Sequence, residues 1–453
     1  LLLPLAMPAY IIAYTYAGLL DFAGPVQSWI RDLTGLSYGD YWFFEIRSLG
    51  GAIIMMSLVL YPYVYLMARA AFLEQSVSSI EVGCSLGYSR WQALWKLALP
   101  MARPAIIAGL SLALMETLAD YGTVQYYGVS TFTTGIFRTF YGYGDTAAAA
   151  QLAASLLAFV ILLVLLERYS RRRARYHSAA ESRARADLIP LSGSKAIMAC
   201  VICLSPLMFG FIIPATQLLF WAVFEAEPLG WDFVGLAWNS FSLAFLAAII
   251  AVILAIILSY AKRTKPIKPV RTVLAMAGFG YALPGTIIAI GVLIPLAWLD
   301  HRLIDIFGSW GWDSPGLLLS GSLVALLFAY TVRFLAVAIG SVQSGLEKVK
   351  PSLDQAGRSM GHSPLDILRK IHVPLMRSSI LTAVLIVFVD VLKELPATLI
   401  LRPFNFNTMA VRAYELASDE RLVDAAPASI MIVLVGLIPV LMLHASIARR
   451  RPH

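Results

Sequence analysis

The segment SLGYSRWQALWKLALP, at residues 85–100, is a polar insert between two long apolar runs, and it occurs twice. Its second copy, SMGHSPLDILRKIHVP, occupies residues 359–374. Gly87 aligns with Gly361 and Pro100 with Pro374, each at an offset of 274 residues. An internal repeat of this length predicts a chain built from two related halves.

Composition places the two inserts in a membrane protein. Of the 453 residues, 59% are hydrophobic and only 14% are charged, which is more apolar surface than a soluble domain can bury. The apolar runs are unbroken, so we expect an all-α polytopic membrane protein whose spans each need about 20 residues. Ten spans are predicted, at about 1–20, 48–68, 103–120, 147–166, 196–223, 240–261, 272–298, 317–340, 378–395 and 425–447.

Lysine and arginine residues predict the orientation. If residue 1 starts in the cytoplasm, the cytoplasmic segments hold 27 of the 35 Lys and Arg residues, in agreement with the positive-inside rule. These segments are 67–103, 168–195, 262–271, 333–377 and 449–451. The net charge of +8 therefore reflects topology in a multi-pass membrane protein. Nucleic acid is not an expected partner, because the charge is spread over short loops.

The repeat divides the chain at a basic linker. The first half is predicted at residues 1–167, the cytoplasmic linker at 168–195 and the second half at 196–453. The first half holds four predicted spans and the second holds six. We therefore expect two further spans before residue 1, in a parent protein with six plus six spans. The alternative is a natural arrangement of four plus six spans.

Each insert is predicted to fold as helix, glycine, helix, and we call these units the first elbow (about 78–100) and the second elbow (about 352–374). Gly87 and Gly361 suit the left-handed conformation that ends a helix. Pro100 and Pro374 are expected to end the second helix of each elbow. Capping boxes are predicted at Ser78 with Glu81, Ser89 with Gln92, Ser352 with Gln355 and Ser363 with Asp366. An ordinary amphipathic surface helix is the alternative, but two matched elbows favour a two-fold partner.

The segments EVGCSLGYSRWQALWKLALP and QAGRSMGHSPLDILRKIHVP resemble the EAA loops of ABC-importer permeases. In the first copy, the matching residues are Glu81, Gly87, Leu99 and Pro100. The second copy keeps Gly361 and Pro374 but has Gln355 at the acidic position and Val373 in place of leucine. The stretch 393–426 resembles, more narrowly, the fused two-halved permeases of ferric-iron importers.

The resemblance implies a tandem-repeated ABC-importer transmembrane domain that works by alternating access. Each EAA loop would dock on one of two cytoplasmic ATPase subunits, through Glu81, Gly87, Leu99, Pro100, Gln355, Gly361 and Pro374. A periplasmic ferric-iron-binding protein is the other implied partner, and the bacterial inner membrane is the implied location. The chain contains no G-x-x-x-x-G-K-[ST] motif, so ATP and Mg²⁺ are expected on the ATPase and no cofactor or enzymatic activity is expected in this chain.

Acidic residues within two predicted spans repeat at the same offset. Glu116 and Asp120 correspond to Asp390 and Glu394. Charges within a membrane are costly and usually functional, so these four are the candidate acids of a cation pathway. The alternative is a structural or interfacial role, including pairing with Lys393. No firm metal site is predicted, because the six histidines are scattered, and His372 is interpreted as a polar residue of the second elbow.

Other functions remain open at this point. A permease for thiamine, a polyamine or an anion shares much of the layout. A secondary transporter driven by an ion gradient would also contain repeats and buried acids, but it gives no reason for twin elbows. Cys200 and Cys203 form a C-x-x-C inside an apolar run, and we interpret them as small buried hydrophobic residues.

Overall fold

The computed structural model describes residues 1–37, 39–74, 83–172, 191–228, 230–314 and 316–449. These residues form helices and connecting turns, and no β-strand occurs among them. The first-half helices are α1 (Ala9–Leu20), α2 (Pro25–Thr34), α3 (Leu49–Glu74), α4 (Arg90–Ala119), α5 (Gly122–Tyr126), α6 (Phe132–Phe137) and α7 (Thr146–Arg172). The second-half helices are α8 (Ser194–Glu225), α9 (Trp231–Thr264), α10 (Lys268–Ala277), α11 (Gly285–Ser309), α12 (Leu323–Glu347), α13 (Pro351–Ser359), α14 (Pro364–Leu375), α15 (Arg377–Leu392), α16 (Pro396–Leu401), α17 (Met409–Ser418) and α18 (Leu422–Arg449).

Eight helices are long and apolar enough to cross a membrane, within the described part of the chain. A ninth span is possible if α14 and α15, which meet at a bend of 78°, are counted together. The predicted ten spans are therefore approximate. The predicted span 1–20 is divided into a 3₁₀ turn, Leu3–Ala6, and α1, because Pro4 and Pro8 interrupt it. With 12 residues, α1 is about 18 Å long and too short to span the bilayer alone.

Two predicted spans lie further along the chain than expected. The predicted span 272–298 is instead α10 followed by α11, and the predicted span 317–340 is α12. Arg333 therefore lies in the middle of a membrane helix and is 9% exposed. Its assignment to a cytoplasmic segment was wrong, because the helix that contains it continues to Glu347 on its C-terminal side.

The repeat is visible in the helices themselves. Helix α3 corresponds to α12, and α4 corresponds to α14 with α15, at the offset of 274 residues. Between α9, α12 and α15 the packing is close, because alanines on α9 let the helix axes approach. Helix α8 packs against α18 and also against the first half, where the Tyr16 hydroxyl donates to the Phe209 carbonyl oxygen at 2.6 Å. The two halves are therefore interlocked.

The cysteines of α8 are not buried. Cys200 and Cys203 are exposed, as is Cys84 in the first elbow, so the prediction of buried thiols was wrong. Only 6% of the apolar window of α8 is buried, because this helix lies at the edge of the bundle. An apolar sequence in a membrane protein can face lipid as well as protein, and hydrophobicity alone does not distinguish the two.

Candidate functional site

The two elbows share one backbone design. Gly87 has φ = 88° and Gly361 has φ = 79°, the left-handed conformation predicted for both. The same hydrogen bond closes each turn: the Tyr88 N–H donates to the Gly83 carbonyl at 3.0 Å, and the His362 N–H donates to the Gly357 carbonyl at 3.1 Å. This is the hydrogen bond of a Schellman C-cap, formed twice.

The helix that follows each glycine begins with a capping box. Ser89 pairs reciprocally with Gln92, and Ser363 with Asp366, as the sequence predicts. The predicted box of Ser352 with Gln355 is wrong, because α13 begins at Pro351 and no side chain caps it. Ser78 and Glu81 lie outside the described residues.

The elbows differ where they rejoin the membrane. In the first elbow, α4 continues through Leu99 and Pro100 to Ala119. Pro100 therefore does not end the helix, contrary to prediction. A π turn at Leu94–Ala98 comes just before it, so Pro100 lies at the start of the α-helical segment that follows, where its missing N–H is tolerated. In the second elbow, the helix ends just beyond Pro374, and α15 leaves at the bend of 78°.

The tips of both elbows expose apolar side chains. Leu86 and Trp91 are exposed in the first elbow, and Met360 and Leu365 occupy the same positions in the second. Most of the predicted docking residues are also exposed: Gly87, Pro100, Gln355, Gly361 and Pro374. Leu99 is half-buried. Exposed apolar groups at matched positions, on the predicted cytoplasmic side, are typical of protein interaction sites.

The four candidate acids lie together at one cavity, which we call the chamber. It has a volume of about 120 Å³ and is lined by α3 and α4 of the first half and by α12 and α15 of the second. Its charged lining residues are Glu116, Asp120, Arg333, Asp390, Lys393 and Glu394. Four carboxylates against two basic groups give a formal charge of minus two. Tyr10, Tyr63 and Tyr281 also line the chamber.

Asp120 and Glu394 are both helix caps. The Asp120 carboxylate accepts hydrogen bonds from the backbone N–H groups of Thr123 and Val124, at 3.1 and 3.2 Å, at the start of α5. The Glu394 carboxylate accepts from the N–H groups of Ala397 and Thr398, at 3.0 and 3.1 Å, at the start of α16. Each acid therefore stabilises the short helix that follows a membrane helix.

Glu394 has a second partner that sequence reasoning missed. An Arg333 guanidinium nitrogen (Nη1) donates to Glu394 Oε1 at 2.9 Å, and both side chains are buried. Gly285 provides the space, since a Cβ there would lie 2.3 Å from that Arg333 nitrogen and 2.5 Å from Glu394 Oε1. At the repeat offset, Val59 occupies the position of Arg333, so Asp120 lacks this counter-ion. The sequence did contain a sign of this pair, because an arginine inside an apolar run usually has a buried acidic partner.

Glu116 and Asp390 face the chamber in different states. The Lys393 ammonium lies 2.8 Å from Asp390 Oδ1, so Asp390 is paired, as the structural alternative proposed. Glu116 forms no hydrogen bond or ion pair with any described residue. The residue matching Lys393 in the first half is Ala119. Glu116 is therefore the free carboxylate of the four.

The chamber opens toward the predicted cytoplasmic side. A larger cavity of about 880 Å³ shares Tyr63, Tyr281, Asp390 and Lys393 with it and extends along α15 and the C-terminal part of α18. This vestibule is lined mainly by apolar side chains. A path from the chamber to the cytoplasm is the arrangement expected of an inward-facing transporter.

The predicted outer side is closed by contacts between the halves. Arg47, which precedes α3, contacts Glu420 of the second half at 2.6 Å and Asp21 of its own half at 2.9 Å. The hydrogen bond from Arg47 holds the pKa of Glu420 below its ordinary value, which keeps this carboxylate charged. Tyr121 and Tyr414 hydroxyls also meet across the halves, at 3.1 Å.

The four acids do not form a metal cage. Across the residues that the structure describes, no group of three or more His, Cys, Asp and Glu side chains could hold a metal ion. His372 is fully buried and bonded within the second elbow, in keeping with its interpretation as a polar residue of that elbow. A cation in the chamber would therefore be held by few ligands, which suits passage better than storage.

Comparison with known proteins assigns both halves to one family. The sequence profile described as "Binding-protein-dependent transport system inner membrane component" matches residues 2–176 and 267–451. The two matched regions each contain one elbow and one pair of chamber acids.

Several transport permeases are similar to the chain. The Fe(3+)-transport system permease protein FbpB 2 of Haemophilus influenzae is 25% identical over 97% of this chain and 80% of its own length. The ferric transport system permease protein FbpB of Actinobacillus pleuropneumoniae is 22% identical over 96% of this chain, which spans 63% of that protein. The molybdenum transport system permease protein ModB of Haemophilus influenzae is 26% identical, over 36% of this chain and 69% of its own length.

Proposed function

The chain belongs to the family of inner-membrane components of binding-protein-dependent transport systems, the ABC-importer permeases, and we propose that the solute it moves inward is ferric iron. The similar permeases named for Fe(3+) and ferric transport align with nearly the whole chain, whereas the molybdenum permease aligns with about a third of it. These likenesses support the choice of solute.

The charge of the chamber is the observation that carries the proposal. Four carboxylates and two basic groups line it, and the only free carboxylate among its described lining residues is Glu116. A formal charge of minus two in a partly desolvated space attracts a cation and repels an oxyanion such as molybdate. The chamber therefore favours a cationic solute over the anionic ones that other members of the family carry.

The chain's own groups suggest how the cation passes. When the outer contacts of Arg47 separate, a cation would reach Glu116 through the chamber. The Lys393 ammonium neutralises Asp390, which leaves Glu116 as the unpaired carboxylate that attracts the cation. Passage then continues down the vestibule, which offers few polar groups to hold the ion. Weak binding at each stage allows release.

Energy for this movement is proposed to come from two separate ATPase subunits, one on each elbow. The exposed apolar tips, the matched glycine turns and the matched capping boxes support docking of two copies of one partner. ATP and Mg²⁺ would be held by that partner. Closure of the ATPase pair would draw the elbows together and change which side of the chamber is open. A periplasmic ferric-iron-binding protein would deliver the solute.

Uptake into proteoliposomes tests the solute and the pathway. The permease, its ATPase and the iron-loaded periplasmic protein should accumulate radioactive Fe³⁺ only when ATP is supplied to the ATPase. The double variant Glu116→Gln, Asp390→Asn should abolish uptake while the ATPase still co-purifies. Normal uptake by the double variant would overturn the pathway, and uptake of molybdate, thiamine or a polyamine in place of iron would overturn the solute.

Co-purification tests the docking. Gly87→Pro should release one ATPase subunit, because proline cannot adopt φ = 88°, and Gly361→Pro should release the other. Gly311→Pro is the matched control, since Gly311 has φ = 72° in a loop on the predicted outer side. Solute accumulation by the permease without any ATPase would instead indicate a secondary transporter.

A further inference from the structure

A buried polar network fixes the second elbow to the membrane bundle. We call it the elbow clamp and define it as Arg263, Asp354 and His372. Arg263, in the last turn of α9, donates from Nε to Asp354 Oδ2 at 2.8 Å. On the other oxygen, Asp354 Oδ1 lies 2.5 Å from His372 Nε2. The clamp therefore joins three segments: α9, the start of the elbow at α13, and its end in α14.

Arg263 also holds the end of α12. Its two terminal nitrogens donate to the carbonyl oxygens of Leu346, at 2.6 Å, and Val349, at 2.8 Å. A planar guanidinium can serve three fixed acceptors at once, which a lysine ammonium on a flexible chain cannot reproduce. One side chain thus sets the position of α12, α13 and α9 relative to each other.

The clamp is shielded from water. His372 is 0% exposed and Asp354 is 9% exposed. Burial alone would raise the pKa of the Asp354 carboxyl, but the hydrogen bonds from Arg263 and His372 outweigh it and hold that pKa below its ordinary value. A buried charged network adds little net stability, and its best-attested use is to specify one geometry.

In its described part, residues 83–100, the first elbow shares the glycine turn and the second helix of the other elbow, but it has no residue like His372 there. In both elbows a glycine lets the two helices touch: a Cβ at Gly83 would lie 2.8 Å from Leu97, and one at Gly357 would lie 2.9 Å from Ile367. At the repeat offset, however, Ala98 stands in place of His372, and Ala98 is buried. In the sequence Ile80 stands in place of Asp354, although Ile80 lies outside the described residues.

The clamp leads directly to the helices around the chamber. Beside it on α9, the Tyr260 hydroxyl donates to the Pro364 carbonyl at 2.7 Å, a second tie to the elbow. Helix α9 packs along α12 and α15, which carry Arg333 and Asp390. At its other end, Ser240 Oγ accepts from the Met409 N–H at 2.7 Å. Movement of the second elbow would therefore be passed along α9 across the membrane.

We propose that Arg263 is a positioning residue that fixes the second elbow rigidly to α9, so that the second elbow drives the bundle more directly than the first. The inference rests on the proposed function for its consequence in transport, but the rigidity of the elbow can be measured without it. The two elbows then divide the work of coupling unequally, although they present similar surfaces to the ATPase.

Hydrogen exchange of the full chain in lipid nanodiscs tests the rigidity. In the unmodified chain, the amides of residues 364–372 should exchange at least tenfold more slowly than those of residues 90–98. Arg263→Gln should remove this difference and leave residues 90–98 unchanged. The matched control is Lys262→Gln, which removes an exposed neighbouring charge and should change neither elbow. Equal exchange by the two elbows of the unmodified chain, or no effect of Arg263→Gln, would overturn the proposal.

A second variant covers the case in which Arg263→Gln does not fold. His372→Ala gives the second elbow the residue of the first and leaves no unpaired positive charge, and it should also accelerate exchange at residues 364–372. In proteoliposomes with the ATPase, His372→Ala should still hydrolyse ATP but import at least threefold fewer Fe³⁺ ions per ATP. Unchanged exchange and an unchanged ratio in this variant would overturn the clamp. If the unmodified chain shows no ATP-driven uptake at all, the proposed function fails, and the exchange experiment alone decides the clamp.

Discussion

The two halves place their acidic residues at the same positions but surround them differently. In the first half, Glu116 has no partner among the described residues, and the Asp120 carboxylate bonds to Thr123 and Val124 at the start of α5. In the second half, Asp390 is paired with Lys393, and Glu394 with the buried Arg333. Duplication explains the shared positions, and the two added basic residues explain the difference. The chamber is therefore two-fold in shape but not in charge.

This difference assigns separate roles to acids that look equivalent in the sequence. The second half carries its own counter-ions, so its acids hold the scaffold together. In the first half, Glu116 lines the chamber without a partner among the described residues, and we propose that it meets the solute. The elbows also differ in their polar contacts: the second contains the elbow clamp with Arg263, and the first has alanine at the position of His372. We therefore propose that the second half is the more rigid of the two.

The largest expected effect concerns the capping acids. Glu394→Ala should lower the free energy of unfolding by about 3–5 kcal/mol, because it leaves Arg333 buried without a partner. Asp120→Ala removes only a helix cap and should cost about 1 kcal/mol. Thermal unfolding of the purified chains in detergent measures both. Equal losses in the two variants would show that the capping acids of the two halves have equivalent surroundings. If adding Arg333→Val to Glu394→Ala restores stability, the loss comes from the unpaired arginine.

A smaller effect is expected at the start of α11. Gly285→Ala should cost about 1–3 kcal/mol, because the new methyl group would crowd the Arg333–Glu394 pair. The similar stretches PAYIIA at 8–13 and PGTIIA at 284–289, which align at an offset of 276, place Ala9 at the position of Gly285 in the first half. Unfolding experiments with Gly285→Ala, with Gly291→Ala as a control in an open position of the same helix, check this. If both variants are equally stable, the pair is not tightly enclosed.

The smallest effect should be the same in both halves. Ser89→Ala and Ser363→Ala each remove one capping box, worth about 1 kcal/mol of local stability. Amide exchange should therefore become about fivefold faster at the first turn of each elbow's second helix. Hydrogen exchange followed by mass spectrometry can resolve the two segments. A large difference between the two variants would mean that the elbows do not share the same local design.

The features that sequence predicted well depend on local chemistry. The left-handed Gly87 and Gly361, and the capping boxes of Ser89 and Ser363, follow from interactions over four or five residues. Long apolar runs predicted an all-helical membrane fold, because the hydrophobicity of a span is also a local property of the sequence. Proline explains the main error in the spans, since Pro4 and Pro8 divide a run that hydrophobicity alone treats as continuous.

The features that sequence missed depend on contacts between distant segments. The pairing of Arg333 with Glu394 joins residues 61 positions apart, and Arg263 lies 91 positions from Asp354. No local pattern marks such partners, although a charged residue within an apolar helix is a reason to look for one. The sequence predicted four acids at repeated positions and left pairing with Lys393 open, and only the structure distinguishes Glu116 from the rest.

Uptake by two variants tests the central claim most directly. Glu116→Gln removes the free carboxylate, whereas Asp390→Asn combined with Lys393→Gln removes a pair whose charges cancel. In proteoliposomes containing the ATPase and the iron-loaded binding protein, Glu116→Gln should lower ATP-driven Fe³⁺ uptake at least tenfold, equivalent to about 1.4 kcal/mol. Uptake by the double variant should stay within about threefold of uptake by the unmodified chain, which corresponds to a smaller change in free energy. Normal uptake by Glu116→Gln, or an equal loss in both, would contradict the account.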